Sequence, residues 1–239
     1  LLAGDAVLTT SPTGGHGVNT GIGDATGLSW MLSALTSGWG GSHLLDAYTA
    51  ERRPVAWRNF GNSTENYRVW VAGGMDNVTD DGPRGEAARR NIGNFLAVGL
   101  HQEWFSQGIG MGYRYEGSPL IVPDGTPEPS DHPSIYMPTS RPGHRAPHAW
   151  LVDGRSTLDL FGHGFTLLDF GAEPSSIRAL SDAATRTKVP MQVVAIDQPE
   201  IRNIYERKLV LVRPDGHVAW RADVAPADAG ALFDTVRGA

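Results

Sequence analysis

The sequence predicts an α/β protein made of two units, and three observations support this prediction. At the N-terminus a short apolar strand leads into a glycine-rich loop and then into a helical pattern. Further helical patterns follow, and strands and helices alternate over residues 150–239. Although the 239 residues include 30 glycines and 16 prolines, the apolar residues recur in periodic blocks, which indicates a folded protein with long loops.

Composition excludes several classes of protein. Without cysteine there is no disulfide framework, zinc–thiolate site or Cys-x-x-Cys redox pair. The 20 Lys and Arg residues are outnumbered by 26 Asp and Glu residues, which argues against a nucleic-acid partner. No apolar run reaches the roughly 18–20 residues of a membrane span, and no signal peptide precedes the first strand. We therefore expect a cytoplasmic protein that contacts neither nucleic acid nor membrane.

The first unit covers residues 1–110 and reads as strand, loop and helices. Residues 1–3 form the strand, and the helix after the loop ends before Gly38. Two helical patterns at residues 44–53 and 55–70 flank Pro54, which we expect to break or kink the chain. A further helix is expected at residues 86–105, and its predicted apolar face comprises Ala88, Ile92, Phe95, Leu96 and Leu100.

Residues 111–149 are expected to form an ordered connecting segment, and residues 150–239 a small sheet with helices. In the connecting segment the apolar residues follow neither a helical nor a strand period, but they need burial. In the last unit the order is β-α-β-β-β-α, with a hairpin around Pro214-Asp215-Gly216. The side chains expected to be buried in the connecting segment are Tyr113, Tyr115, Ile121, Val122, Ile135 and Tyr136.

The glycine-rich loop at residues 13–21 is the most informative feature of the chain. Glycines let a backbone approach a ligand closely, and the amides that open the following helix have no partner within it. Such amides favour an anion or an electron-rich carbonyl. Asp5, at the end of the predicted strand, could accept hydrogen bonds from hydroxyl groups. The alternative is a tight strand–helix turn without a ligand, because neither G-x-G-x-x-G nor G-x-x-x-x-G-K-[ST] is present.

At these residues the sequence resembles the second flavin fingerprint of FAD-dependent aromatic-ring hydroxylases, the phenol hydroxylase and dichlorophenol monooxygenase group. The family pattern is G-D-A-x-H followed by P-x-x-G-x-G-x-N-x-G-x-x-D-A. The resemblance covers nearly the whole chain. It is carried by residues 2–6, 12–25, 48–54, 112–115, 141–151 and 212–221.

The resemblance implies the fold and the site. The α/β fold would comprise a fragment of an FAD-binding domain with helices, followed by a thioredoxin-like α/β domain without redox cysteines. Asp5 would hold the ribityl chain of FAD, and amides at the loop would face the pyrimidine edge of the flavin. Pro12 would lie beside the substrate. The residues implied in cofactor binding are Asp5, Gly15, Gly17, Val18 and Asn19.

Two departures from the family pattern matter. The histidine of G-D-A-x-H is Leu8 here, so any polar contact of that imidazole is lost. The G-x-G-x-x-G turn that binds the ADP half of FAD is absent. We therefore expect the chain to be the C-terminal part of such an enzyme and to bind FAD weakly or not at all by itself.

The resemblance also implies the reaction. NAD(P)H would reduce FAD, O2 would give the flavin C4a-hydroperoxide, and a small phenolic or other aromatic substrate would be hydroxylated by a homodimeric enzyme. Two alternatives stay open: a non-catalytic thioredoxin-like interaction module, and a polyketide-tailoring hydroxylase of the same flavin class.

Other polar residues are assigned no chemistry. No catalytic residue is assigned, and no metal site is expected, because His144 and His148 lie among prolines and glycine. His16 is expected to point to solvent. Arg52 and Arg53 are expected to pair with carboxylates or cap carbonyls.

Overall fold

A computed structural model describes all residues, Leu1–Ala239. The first half of the chain is helical, and the sheet lies entirely in the last third. The helices of the first half are α1 (His16–Thr36), α2 (Leu44–Ala72), α3 (Pro83–Gly99) and the short α4 (His101–Trp104) and α5 (Gln107–Met111).

The N-terminal segment differs from the prediction. Residues 1–3 form no strand, and a single 3-10 turn, Gly4–Ala6, follows them. No other strand lies beside these residues, so no ladder of hydrogen bonds can hold them extended. The predicted loop is also shorter than expected, because α1 already begins at His16 and contains Gly17 and Gly21.

Of the break or kink predicted at Pro54, the break does not occur, because α2 runs through this residue. Proline removes one N–H donor from the hydrogen bonds of the helix. Pro54 is exposed, however, so its ring does not disturb the packing of the core. Arg52, Val55 and Ala56 on either side of it are buried. This buried face packs against α1 and keeps the helix continuous.

The helix expected at residues 86–105 is confirmed in part. Pro83 occupies its first turn, where a missing N–H costs nothing, and α3 ends at Gly99. The predicted apolar face is confirmed in part, since Leu100 is buried, Ala88, Ile92 and Leu96 are partly buried, and Phe95 is exposed.

The connecting segment is ordered without regular structure. Isolated bridges join Arg114 to His144 and Arg145 to His217. Tyr115 is buried as predicted, whereas Ile135 is exposed, so the expectation of burial is wrong there.

The C-terminal unit has the predicted thioredoxin-like α/β arrangement. Its sheet has the order β2-β1-β3-β4, in which β1 and β2 are parallel and the other neighbours antiparallel. The prediction missed a helix of seven residues between β2 and β3, which is too short to show a period. The elements are β1 (Phe165–Asp169), α6 (Pro174–Arg186), β2 (Met191–Ala195), α7 (Pro199–Tyr205), β3 (Leu209–Val212), β4 (Val218–Ala222) and α8 (Ala229–Val236).

The two units share the larger of two hydrophobic cores. A cluster of 22 buried residues joins α1 and α2 to β1, β3, α6 and α8. At its centre the ring of Phe165 lies 6.3 Å from that of Trp30 and 6.1 Å from that of Trp39. Helices long and apolar enough to cross a membrane are absent.

Candidate functional site

The glycine-rich loop is held on the surface of α2. The hydroxyl of Thr13 donates a hydrogen bond of 2.7 Å to the carbonyl of Ser63. Gly14 has φ +86°, and a Cβ there would stand 2.7 Å from Nε2 of His16 and 2.9 Å from Nδ2 of Asn66. Only glycine adopts this φ readily and leaves room for the side chains of His16 and Asn66. These contacts within the protein explain the glycine at this position of the motif.

Three backbone amides are free where α1 begins. The N–H groups of His16, Gly17 and Val18 donate no hydrogen bond to the protein. The side chain of Asn19 turns back and donates 2.8 Å to the carbonyl of Gly15, which closes the turn before the helix. Unpaired amides at the positive end of a 21-residue helix stabilise a negative charge that lies close to their N–H groups.

The turn that carries Asp5 packs directly on α1. A Cβ added at Gly21 would lie 3.3 Å from Cα of Gly4, so the two backbones are nearly in contact. The amide of Gly4 donates 3.0 Å to Oδ2 of Asp24. Asp5 itself is exposed, with its carboxylate available to solvent or to a ligand.

Asp24 also forms a buried ion pair. Nε of Arg52 lies 2.8 Å from Oδ1 of Asp24, and both side chains are 5% exposed. Burial by itself lowers the pKa of Arg52, but the contacts with Tyr115 and Asp24 outweigh it and raise that pKa above its ordinary value. Arg52 therefore pairs with a carboxylate, as expected from sequence, whereas Arg53 is exposed.

The predicted cofactor-binding residues gather at one end of α1. Gly15 precedes the helix in the left-handed region, at φ +67°, and the next residues of the set form its first turn. Val18 is 77% exposed, and Pro12 is exposed just before the turn. Gly4, the residue before Asp5, lies against Gly21, about one helical turn from the free amides.

His16 differs from its prediction, since its ring is buried rather than directed to solvent. One ring nitrogen, Nε2, lies 2.8 Å from Oδ1 of Asn62 on α2. The loop folds back onto α2, so the side chain that opens α1 faces that helix. His16 therefore anchors the loop.

Sequence reasoning missed a second polar cluster. Arg213 makes a bidentate pair with Glu51 at 2.6 and 2.8 Å and contacts Asp215 at 2.6 Å, with all three side chains almost fully buried. His217 stacks on Tyr115, with the ring centres 4.1 Å apart. Segments 48–54 and 212–221 both carry the family resemblance, and the structure brings them into contact through these charges.

Two cavities flank the N-terminal half of α1. One, of about 470 Å³, lies between α2 and the residues on either side of the Gly4–Ala6 turn, with Tyr48 and Trp57 among its mainly apolar lining. The other, of about 420 Å³, lies on the side of α5 and includes Asn59 and Tyr113. No three His, Asp or Glu side chains come together in a way that could hold a metal ion.

Two family models match this chain. The model described as "FAD binding domain" matches residues 1–63, which contain the Gly4–Ala6 turn, the glycine-rich loop and the first half of α2. The model described as "Aromatic-ring hydroxylase, C-terminal" matches residues 139–238, which contain the whole sheet. Together they cover more than half of the chain.

Curated relatives extend the likeness over almost the whole chain. The FAD-dependent monooxygenase apdD of Emericella nidulans is 36% identical over 93% of this chain. The 2,4-dichlorophenol 6-monooxygenase of Cupriavidus pinatubonensis is 31% identical over 98% of it. The chain spans less than half of these relatives' length, 38% and 45% respectively.

A solved structure shows the same fold. The rebeccamycin biosynthetic enzyme RebC with reduced flavin is 44% identical and superimposes with a TM-score of 0.90. The superposition covers 100% of this chain and 45% of RebC. The chain belongs to the FAD-dependent aromatic-ring hydroxylase family.

Proposed function

We propose that this chain is part of a monooxygenase that uses FAD, NAD(P)H and O2 to hydroxylate a phenolic or other aromatic ring. The observation that carries the proposal is the set of three free amides at the start of α1, inside the segment matched by the FAD-binding model. When bound, FAD supplies electron transfer from NAD(P)H to O2 and transfer of one oxygen atom to the substrate.

The residues of the site fit this cofactor. Gly17 and Val18 have N–H groups without partners that would face the electron-rich pyrimidine edge, where the helix dipole would also favour negative charge. Asp5 is exposed and would accept hydrogen bonds from the hydroxyls of the ribityl chain. Gly15 has no side chain that would obstruct the flavin, the side chain of Asn19 closes the turn, and Pro12 would border the substrate.

The test uses the full-length gene product that carries this chain. We expect the purified protein to show flavin absorbance and to oxidise NAD(P)H faster when a phenol is added, with a hydroxylated product detected by mass spectrometry. A full-length protein that retains no flavin absorbance after incubation with FAD and removal of the excess contradicts the proposal. It would favour the interaction module instead.

The variant Asp5→Ala tests the site itself. Loss of one carboxylate hydrogen bond to the ribityl chain should weaken FAD binding about tenfold, measured by flavin fluorescence. Asp46→Ala is the matched control, because Asp46 is also exposed but lies on α2 away from the loop. Equal FAD affinity in the two variants would remove Asp5 from the site.

The substrate, assembly and location complete the proposal. A small monocyclic phenol is proposed, and a polycyclic phenol assayed in parallel distinguishes the polyketide-tailoring alternative. A homodimer is proposed from the family resemblance, and light scattering of the full-length protein gives its mass in solution. A cytoplasmic location is proposed as well, and cell fractionation checks it.

A further inference from the structure

The two carboxylate oxygens of Asp24 accept hydrogen bonds from two different parts of the chain. One oxygen, Oδ2, accepts the amide of Gly4 at 3.0 Å, and the other, Oδ1, accepts Nε of Arg52 at 2.8 Å. The first contact holds the turn that carries Asp5, and the second holds α2. A single side chain of α1 thus ties together three parts of the site.

Arg52 has further contacts besides the one with Asp24. Its NH1 donates 3.2 Å to the hydroxyl of Tyr115 and its NH2 donates 3.3 Å to the carbonyl of Thr20. The guanidinium lies against Gly23, where a Cβ would stand 2.7 Å from NH2. The glycine at this helical position leaves room for Arg52, which therefore has one orientation available.

We propose that Asp24 and Arg52 are positioning residues for FAD. The pair holds the Gly4–Ala6 turn against α1 and so sets the distance between Asp5 and the free amides of Gly17 and Val18. This inference rests on the proposed function, because those two groups are assigned to the ribityl chain and to the pyrimidine edge, two covalently linked parts of one cofactor.

A purely stabilising role explains the arrangement less well. Buried ion pairs add little net stability, because desolvation offsets most of their attraction. The Gly4–Ala6 turn also packs on Gly21, but none of its residues is buried and Asp24 is the only side chain that accepts its amides. Loss of Asp24 would therefore loosen the turn, while the core around Met31 and Leu44 stays packed.

The variant Asp24→Asn tests the proposal in the full-length gene product. The asparagine keeps one acceptor but presents an NH2 group to either Gly4 or Arg52, both of which donate. We expect the FAD dissociation constant to rise about tenfold or more, as for loss of a hydrogen bond to a charged group. Hydrogen exchange at the Gly4 amide should also accelerate in the FAD-free protein, which is independent of activity.

Asp124→Asn is the matched control. Asp124 pairs with Arg221 at 2.7 Å, and their side chains are 9% and 2% exposed, so this pair is almost as buried but lies outside the site. We expect both variants to lose stability in urea, and only Asp24→Asn to change FAD affinity and Gly4 exchange. Arg52→Lys keeps the charge but cannot reach all three partners, and it replaces Asp24→Asn if that variant does not fold.

The outcomes separate the two proposals. If the unmodified full-length protein binds no FAD, the proposed function fails, and Gly4 exchange still reports whether Asp24 holds the turn. If the unmodified protein binds FAD and Asp24→Asn binds it as tightly as Asp124→Asn does, the positioning role is overturned and the proposed function stands.

Discussion

Gly21 and Gly61 are both helical glycines, but their surroundings differ. A Cβ at Gly21 would meet the backbone of Gly4 at 3.3 Å, whereas a Cβ at Gly61 would meet nothing within 4 Å. The sequence alone shows two glycines at positions where helix propensity disfavours both. The contact that requires one of them is visible only in the structure.

We predict opposite effects of alanine at these positions. Gly21→Ala should lower the free energy of unfolding by about 1–3 kcal/mol, because backbone must shift to admit the methyl group. Gly61→Ala should raise it by about 0.5–1 kcal/mol, because alanine is the better helix former. Urea unfolding measures both, and a stabilised Gly21→Ala would show that the close approach is not needed.

His144 links stability to pH. Burial and, next, the neighbouring Arg114 and Arg141 lower the pKa of His144 to about 4, from the ordinary 6.5. Between these values the unfolded chain binds a proton that the folded protein does not, so stability falls as the pH falls from 6.5 to 4. We predict that this histidine contributes about 2–3 kcal/mol to the loss.

The check compares His144→Gln with His163→Gln over this pH range. His144→Gln should lose less stability than the unmodified protein on acidification, since glutamine does not titrate. The exposed His163 is the matched control and should leave the slope unchanged. Identical slopes for all three proteins would show that His144 titrates as it does in the unfolded chain.

At the scale of elements, α2 connects the loop to the C-terminal unit. The loop rests on its second half through Ser63 and Asn62. Glu51, in its first half, binds Arg213 beside the β3–β4 turn. Pro54 lies between these regions, and local propensity predicts two helices there. Packing on both sides of the proline outweighs that preference.

Glu51→Ala tests this connection. Removal of the carboxylate leaves Arg213 fully buried with Asp215 as its one remaining carboxylate partner, so we expect a loss of about 3 kcal/mol in unfolding free energy. Asp46→Ala, which removes an exposed carboxylate from the same helix, should cost less than about 0.5 kcal/mol. Similar losses in the two variants would show that the buried pair adds nothing.

At the scale of the whole molecule, a shared core joins the two units. Phe165 begins β1 and is fully buried against Trp30 and Trp39, so the sheet and the first helices cover each other. A second cluster of 10 buried residues lies wholly within residues 146–218, so the C-terminal unit also has a smaller core of its own. The division into residues 1–110, 111–149 and 150–239 stays a prediction from sequence.

We predict one cooperative unfolding transition for this chain. Phe165→Ala should lower the unfolding free energy by about 3–5 kcal/mol and shift helix and sheet signals together. Circular dichroism and tryptophan fluorescence followed in the same melt provide the measurement. Val152→Ala, at a site 90% exposed, is the control. Two separate transitions would show that the units fold independently.

Much of the fold could be predicted from local pattern. Apolar periodicity located the second half of α1 and the strands of the C-terminal unit, and Pro214-Asp215-Gly216 located its hairpin, because these features depend on neighbouring residues. The fingerprint around Asp5 and Gly17 indicated the family. Its specificity comes from the fixed spacing of several residues.

Tertiary structure decided the rest. Residues 1–3 form no strand, since no partner strand lies beside them. His16 is buried because the loop folds onto α2. Asp24 contacts Gly4, 20 residues earlier in the chain, and Arg52, 28 residues later, and these two contacts exist only in the folded protein. Local sequence determines which elements form, while contacts between distant residues determine how Asp5 and the start of α1 are held together.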